Sequence, residues 1–260
     1  QNSRRIGLAR ALSQLGYCSR SQAFVLVRSG RVNVNGRRCS DPEHPVVNGD
    51  QISVDGKPVQ QTNKVYFMMN KPRGLVTTAS DEKARPTVYA LLDPELPWVA
   101  PVGRLDQASE GLLLFTNDSE WAAQVTSPAS GIPKTYRVQI SVIADAELVS
   151  RIKAGVREGG EVLRVLHVSA LQAGKKNSWV EIVLDEGRNR HIRRIFAALG
   201  IEVLRLIRVA IGRLALGDLK KGQVRALKPT EKDAIDQMLA KADHNRASGP
   251  VIRRPSSNRA

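Results

Sequence analysis

From Val65 to the neighbourhood of Leu227 the chain is a succession of short apolar segments: "VYFMMN", "WVAPVG", "LLLFTN", "TYRVQISV", "LRVLHVSA", "SWVEIVLD" and "VRALK". Each has the length and the enrichment in Val, Ile, Leu and aromatic residues of a strand. Helical spacing interrupts them near 119–126, 145–153, 191–199 and 230–241. Many strands with interspersed helices predict an α+β domain built on a largely antiparallel sheet. At 260 residues the chain has room for one large domain and a small one. Its 42% hydrophobic content supports a sizeable core, and with aromatics at 4% that core must come from Leu, Ile, Val and Ala.

The residues before Val65 read differently. "RIGLARALSQLG" places Ile6, Ala9, Leu12 and Leu15 at roughly helical spacing and closes on Gly16. "SRSQAFVLVRSG" offers Ser19 or Ser21 as an N-cap and Gly30 as the residue that ends a second helix. Val32 and Val34 then alternate ahead of Asn35-Gly36, a hairpin signal, and "DQISVDGKPV" repeats the pattern with Asp-Gly. A helix–helix–hairpin domain is therefore expected over 1–60, a polar linker over 61–64, the α+β domain over 65–242 and a basic, disordered tail over 243–260.

Charge narrows the partner. The formal net charge is +15, and residues 1–40 carry eight arginines with no acid before Asp41. Self-repulsion of that size is best explained by a polyanion, of which nucleic acid is the commonest. No apolar stretch approaches the roughly 18–20 residues of a membrane-spanning helix. No signal-peptide core follows the start, so a cytoplasmic location is expected. Cys18 and Cys39 have no Cys-x-x-Cys spacing and fit free thiols. His44, His167, His191 and His244 stand apart from one another and from the cysteines, so no metal site is expected.

Within the larger domain, "PVGRLDQASEGLLLFTND" (101–118) sets Asp106 between Gly103 and Gly111, just ahead of a buried-strand pattern. Taken alone, Asp106 is either a turn carboxylate that caps the loop or pairs with Arg104, or a catalytic group on a loop fixed by a rigid scaffold. Four more segments accompany it: "MNKPRGLVTT" (69–78), "KTYRV" (134–138), "DEGRNRHIRRIFAALG" (185–200) and "RLIRVAIGRLALGDLKKGQVRAL" (205–227). In that order they resemble the ribosomal branch of the pseudouridine synthases, which isomerise uridine in RNA. The amino-terminal unit resembles the RNA-binding module named after the fourth small-subunit ribosomal protein, which commonly precedes the catalytic domain in that branch.

The resemblance implies roles. Asp106 takes the place of the superfamily's essential aspartate, acting as nucleophile or base on a flipped-out uridine. Arg104 matches the arginine preceding it, Tyr136 the tyrosine that stacks on the flipped base, and Arg193 the basic residue that pairs with the aspartate. Lys71 and Pro72 match the first family motif near the site, and Lys71 is counted with the RNA-binding residues. Arg188, Arg190 and Arg194 are expected as phosphate clamps, and Arg20, Arg28 and Arg31 as RNA contacts of the amino-terminal module. His191 stands where relatives commonly have Gln or Glu. The implied partner is ribosomal RNA or a ribosomal assembly intermediate, with the large subunit slightly favoured and a monomeric protein expected.

The chemistry fits these residue types. Breaking the bond from ribose to ring nitrogen, turning the uracil and rejoining it through carbon oxidises nothing and imports no group, so no cofactor is expected. A sheltered carboxylate needs a counter-charge to stay ionised. Two rivals differ in class: a non-catalytic RNA-binding assembly factor, and a glycoside hydrolase with Glu110 as the second carboxylate.

Overall fold

The computed structural model describes residues 5–79 and 81–247. Two helices open the chain, α1 (Leu8–Gln14) and α2 (Arg20–Arg28). The α2 helix starts at a capping box in which the Ser19 side chain accepts from the Gln22 amide and the Gln22 side chain accepts from the Ser19 amide. Two hairpins follow and merge into one antiparallel four-stranded sheet, ordered Arg37–Cys39, Val32–Val34, Ile52–Val54, Lys57–Pro58. Their turns are Asn35-Gly36 and Asp55-Gly56, all four residues at positive φ, as a two-residue hairpin turn requires. Leu8, Leu12, Ala23, Val27, Val32 and Val54 form the core of this module.

The first helix departs from expectation. Ile6 lies in a two-residue strand, Ile6–Gly7, paired with Pro45–Val46, and the helix begins only at Leu8. The amides of Leu8 and Ala9 donate to the carbonyls of His44 and Pro42, both at 2.9 Å. Those tertiary bonds satisfy helix-start donors and fix the entry angle.

The larger domain is built on a nine-stranded sheet. Its main path runs His167–Ala173, Ser178–Leu184, Lys134–Ile140, Val203–Ile211, Glu110–Thr116, Tyr66–Lys71, Val224–Ala226. Leu214–Ala215 and Ala100–Val102 pair off this path. Every pairing is antiparallel except one: Val203–Ile211 runs parallel to Glu110–Thr116, with Ile207 opposite Glu110 and Arg208 opposite Gly111. The helices α3 (Ser119–Thr126), α4 (Ala146–Ala154), α5 (His191–Ala198) and α6 (Pro229–Ala247) cover it. Val203–Ile211, in the middle of the path, is a strand that the apolar segments did not announce, because its Leu and Ile residues are interrupted by Arg205 and Arg208. The expected tail begins inside α6, which continues to Ala247; residues 248–260 lie outside the described residues.

Linker residues 61–64 are polar, as expected, but they are tied down. Buried Asn117 accepts from the Val65 amide (2.9 Å) and donates to Asn63 O (2.9 Å) and Thr62 Oγ1 (3.1 Å). Thr62 in turn donates to Leu15 O at the end of α1, and Lys64 pairs with Asp118 at 2.8 Å.

Candidate active site

Asp106 lies on the loop between the strands Ala100–Val102 and Glu110–Thr116, and the loop is stapled from Leu105 to Ser109. Leu105, buried, exchanges bonds with Thr77: the Thr77 hydroxyl donates to Leu105 O (2.7 Å) and accepts from the Leu105 amide (3.3 Å). Gln107 O accepts from the Gly74 amide at 2.8 Å, and the Gln107 side chain donates back to Gly74 O at 3.1 Å. The Ser109 amide donates to Asp106 O at 2.9 Å. The backbone on both sides of Asp106 is thereby fixed, and its carboxylate, 38% exposed, faces a cleft of 840 Å³.

Lys71 is the main staple and corrects a sequence expectation. A lysine in a motif beside an RNA site reads as a phosphate contact. Lys71 is instead 0% exposed, with its ammonium donating to the carbonyls of Pro72 (3.1 Å), Asp106 (3.1 Å) and Ser109 (2.9 Å). All three of its donors are spent on backbone. Burial lowers its pKa to about 8, against the upward pull of Asp106 and Glu110.

The counter-ion geometry also differs from expectation. Within 4.0 Å of the Asp106 carboxylate stands Arg190 Nη1, not Arg193. Arg193 Nη2 donates to Ala108 O at 3.0 Å, on the same loop, and its Nε is buried without a partner. Burial works hardest against the Arg193 charge, followed by Arg190; Asp106 pulls the other way, ahead of Arg73. The reason for the exchange is the start of α5: Arg190 is the N-cap with φ 50, a left-handed conformation, and Arg193 is spent on the loop backbone. Arg73, which no motif reading singled out, stands close enough to bear on the Arg193 charge.

Tyr136 lines the same cleft, as do Arg104, Arg188, Arg190 and His191. It sits on the strand Lys134–Ile140, opposite Ile182 on one side and Arg208 on the other, and packs against two hydrophobic clusters. His191 is buried, neither ring nitrogen makes a hydrogen bond of ordinary geometry, and burial chiefly lowers its pKa, so it is a neutral imidazole.

Two of the expected phosphate clamps are already paired. Arg194 donates to Glu158 through Nε (2.8 Å) and Nη2, and to Glu161 at 3.1 Å; Arg188 pairs with Glu186 at 2.8 Å and Glu161 at 3.5 Å. The hairpin Val156–Glu158/Glu161–Leu163 packs beside α5 and supplies Glu158 and Glu161. In the amino-terminal module, Arg31 forks onto Asp55 (Nε to Oδ1 2.9 Å), whereas Arg20 and Arg28 are exposed and form no ion pair among the described residues.

Glu110 decides one rival. It is 3% exposed, gripped by Arg205 through two 3.1 Å bonds and by Lys221. Burial alone would raise its pKa, but these two cations bring it below the usual value. A carboxylate so paired cannot serve as the general acid of a glycosidase.

The family model described as RNA pseudouridylate synthase matches residues 65–198, and the S4 domain model matches residues 6–52. The chain belongs to the RNA pseudouridylate synthase family. The synthase is 35% identical over 241 residues to the ribosomal large subunit pseudouridine synthase B of Bacillus subtilis, covering 92% of this chain and 98% of that one. It is 38% identical over 224 residues to an uncharacterized RNA pseudouridine synthase of Rickettsia prowazekii, with 85% and 93% covered. A pseudouridylate synthase crystal structure aligns with TM-score 0.63 and 28% identity over 88% of this chain and 99% of that one. It is thus an isomerase acting on RNA, with an RNA-binding S4 module ahead of an α+β catalytic domain.

Proposed function

We propose that the synthase converts a uridine of large-subunit ribosomal RNA to pseudouridine, with Asp106 as the nucleophile or base. The observation that carries this reading is the stapled loop: Lys71, Gly74, Thr77 and Arg193 converge on it, and it presents one carboxylate, with Arg190 4.0 Å away, to a cleft. Likeness over nearly the full length to a synthase named for the large subunit supports the substrate.

A paired or stacked uridine is beyond reach of a side chain, so it must leave the helix, at a cost of a few kcal/mol. Stacking on Tyr136 returns ~1–3 kcal/mol of that. Asp106 then attacks the sugar or the ring. Arg190 stands 4.0 Å from its carboxylate, and Arg193 holds the backbone of the same loop at Ala108. Arg104 and Arg190, exposed at the cleft, hold the flanking phosphates.

The test is pseudouridine mapping of ribosomal RNA from cells lacking the protein and from cells carrying Asp106→Asn. One large-subunit pseudouridine should vanish in both. Persistence of that pseudouridine with Asp106→Asn would remove Asp106 from the reaction, and an unchanged large-subunit pattern in the deletion would remove the substrate.

A further inference from the structure

The exposed face of α2 carries one side chain that neither packing nor solubility accounts for. The helix buries Ala23 and Val27, while Phe24 stands 45% exposed and Val25 65% exposed. Phe24 is flanked at i−4 and i+4 by Arg20 and Arg28, so the three lie in one stripe along the helix. The Arg28 guanidinium sits over the Phe24 ring, 5.5 Å from its centroid, a cation–π contact that fixes both side chains. Neither Arg20 nor Arg28 has a carboxylate partner among the described residues. In this module Arg31, by contrast, is committed to Asp55.

Size and charge select the ligand. Phe24 and Val25 together are far too small for the apolar centre of a protein–protein interface, which needs roughly 800 Å² from each partner. One aromatic ring between two unpaired guanidiniums matches one nucleobase between two phosphates: the ring stacks on the base and the arginines take the backbone. A duplex offers phosphates but no free base face. We propose that Phe24, with Arg20 and Arg28, forms a stacking platform for an unpaired nucleotide of the substrate RNA, away from the Asp106 cleft. This rests on the proposed RNA substrate and adds to it a requirement for single-stranded RNA at the module.

The platform predicts different changes for different side chains. Full-length protein would be titrated with oligouridylate and with an RNA duplex of matched length at several salt concentrations. Phe24→Ala should weaken oligouridylate binding by roughly ten-fold, with an unchanged salt slope and unchanged duplex affinity. Phe24→Trp should keep wild-type affinity. Arg28→Gln should also flatten the salt slope by roughly 0.7. Equal oligouridylate affinity in Phe24→Ala and wild type overturns the platform, as does an equal loss toward oligouridylate and duplex. Ribosomal RNA mapping separates the two readings: if wild type makes its pseudouridine while Phe24→Ala binds oligouridylate as wild type does, only the platform fails. If deletion of the protein leaves the large-subunit pattern unchanged and Phe24→Ala binds oligouridylate as wild type does, both fail.

Discussion

At the scale of single residues, Lys71 shows how a charge works without touching substrate. Its ammonium gathers three carbonyls, two of them on the Asp106 loop, inside a site with no exposure. Lys71→Met keeps the shape and removes the donors, leaving loop carbonyls short of partners at about 1–3 kcal/mol each, partly offset by deleting a buried charge. Turnover should fall at least roughly ten-fold with KM little changed, because the loop loses order while the RNA contacts persist; steady-state kinetics on a ribosomal RNA fragment checks this. The titration gives a second readout. The folded pKa of about 8 lies below the ordinary 10.5, so between those values the unfolded chain binds more protons. Wild-type stability should therefore rise with pH across that window, a slope that Lys71→Met lacks when thermal unfolding is compared. Five motifs in order placed Asp106 and Tyr136 at one site, and both line the same cleft. Lys71 was misread as an RNA contact because nothing local signals that carbonyls 35 and 38 residues onward converge on it. The left-handed turn at Arg190 that brings that side chain to Asp106 leaves no mark in an arginine.

At the scale of elements, local chemistry was the readable part. Asn35-Gly36 and Asp55-Gly56 announced their hairpins, and Ser19, one of the two N-caps offered, starts its helix, since each signal is complete within a few residues. The parallel contact between Glu110–Thr116 and Val203–Ile211 was not legible, for it joins segments almost a hundred residues apart and the second alternates leucine with arginine. Gly111 makes that contact possible. It sits at φ +104, and a Cβ there would lie 2.2 Å from Arg208 O and 2.8 Å from Arg208 N. Backbone cannot retreat as a flexible side chain can, and Arg208 is held further by its own bond to Leu112 O. Gly111→Ala should thus cost ~3 kcal/mol or more, strain and clash together. Denaturant unfolding measures the loss. A variant within 1 kcal/mol of wild type, a threshold of about one ordinary mutational effect, would show that the strands separate there without penalty.

At the scale of the whole molecule, the question is whether the RNA-binding module hangs on a tether or is set at an angle. Composition suggests a tether: "QQTNK" is polar and without periodicity. Asn117 argues for an angle. It is 3% exposed, directly follows the strand that opens beside Asp106, and spends its amide on Thr62, Asn63 and Val65, while Thr62 bonds the end of α1. Two linker residues, Thr62 and Asn63, are thus tied to the catalytic sheet at one point, and α1 is drawn against α3 through Gln14 and Glu120. A module held this way presents its arginines at a fixed distance from the cleft, raising the effective concentration of bound RNA there. Asn117→Ala removes the tie and leaves buried amides and carbonyls unpaired, at about 1–3 kcal/mol. Limited proteolysis should then cut within 60–64 faster than in wild type. KM for a large ribosomal RNA fragment that engages both parts should rise by roughly ten-fold, the share of avidity lost when geometry loosens. A minimal stem-loop that fills only the cleft should be modified at the wild-type rate, since nothing in the Asp106 loop bonds to Asn117. If turnover of the stem-loop falls as far as turnover of the large fragment, Asn117 acts through the strand Glu110–Thr116 on the catalytic loop, and the module's angle has no part in the effect.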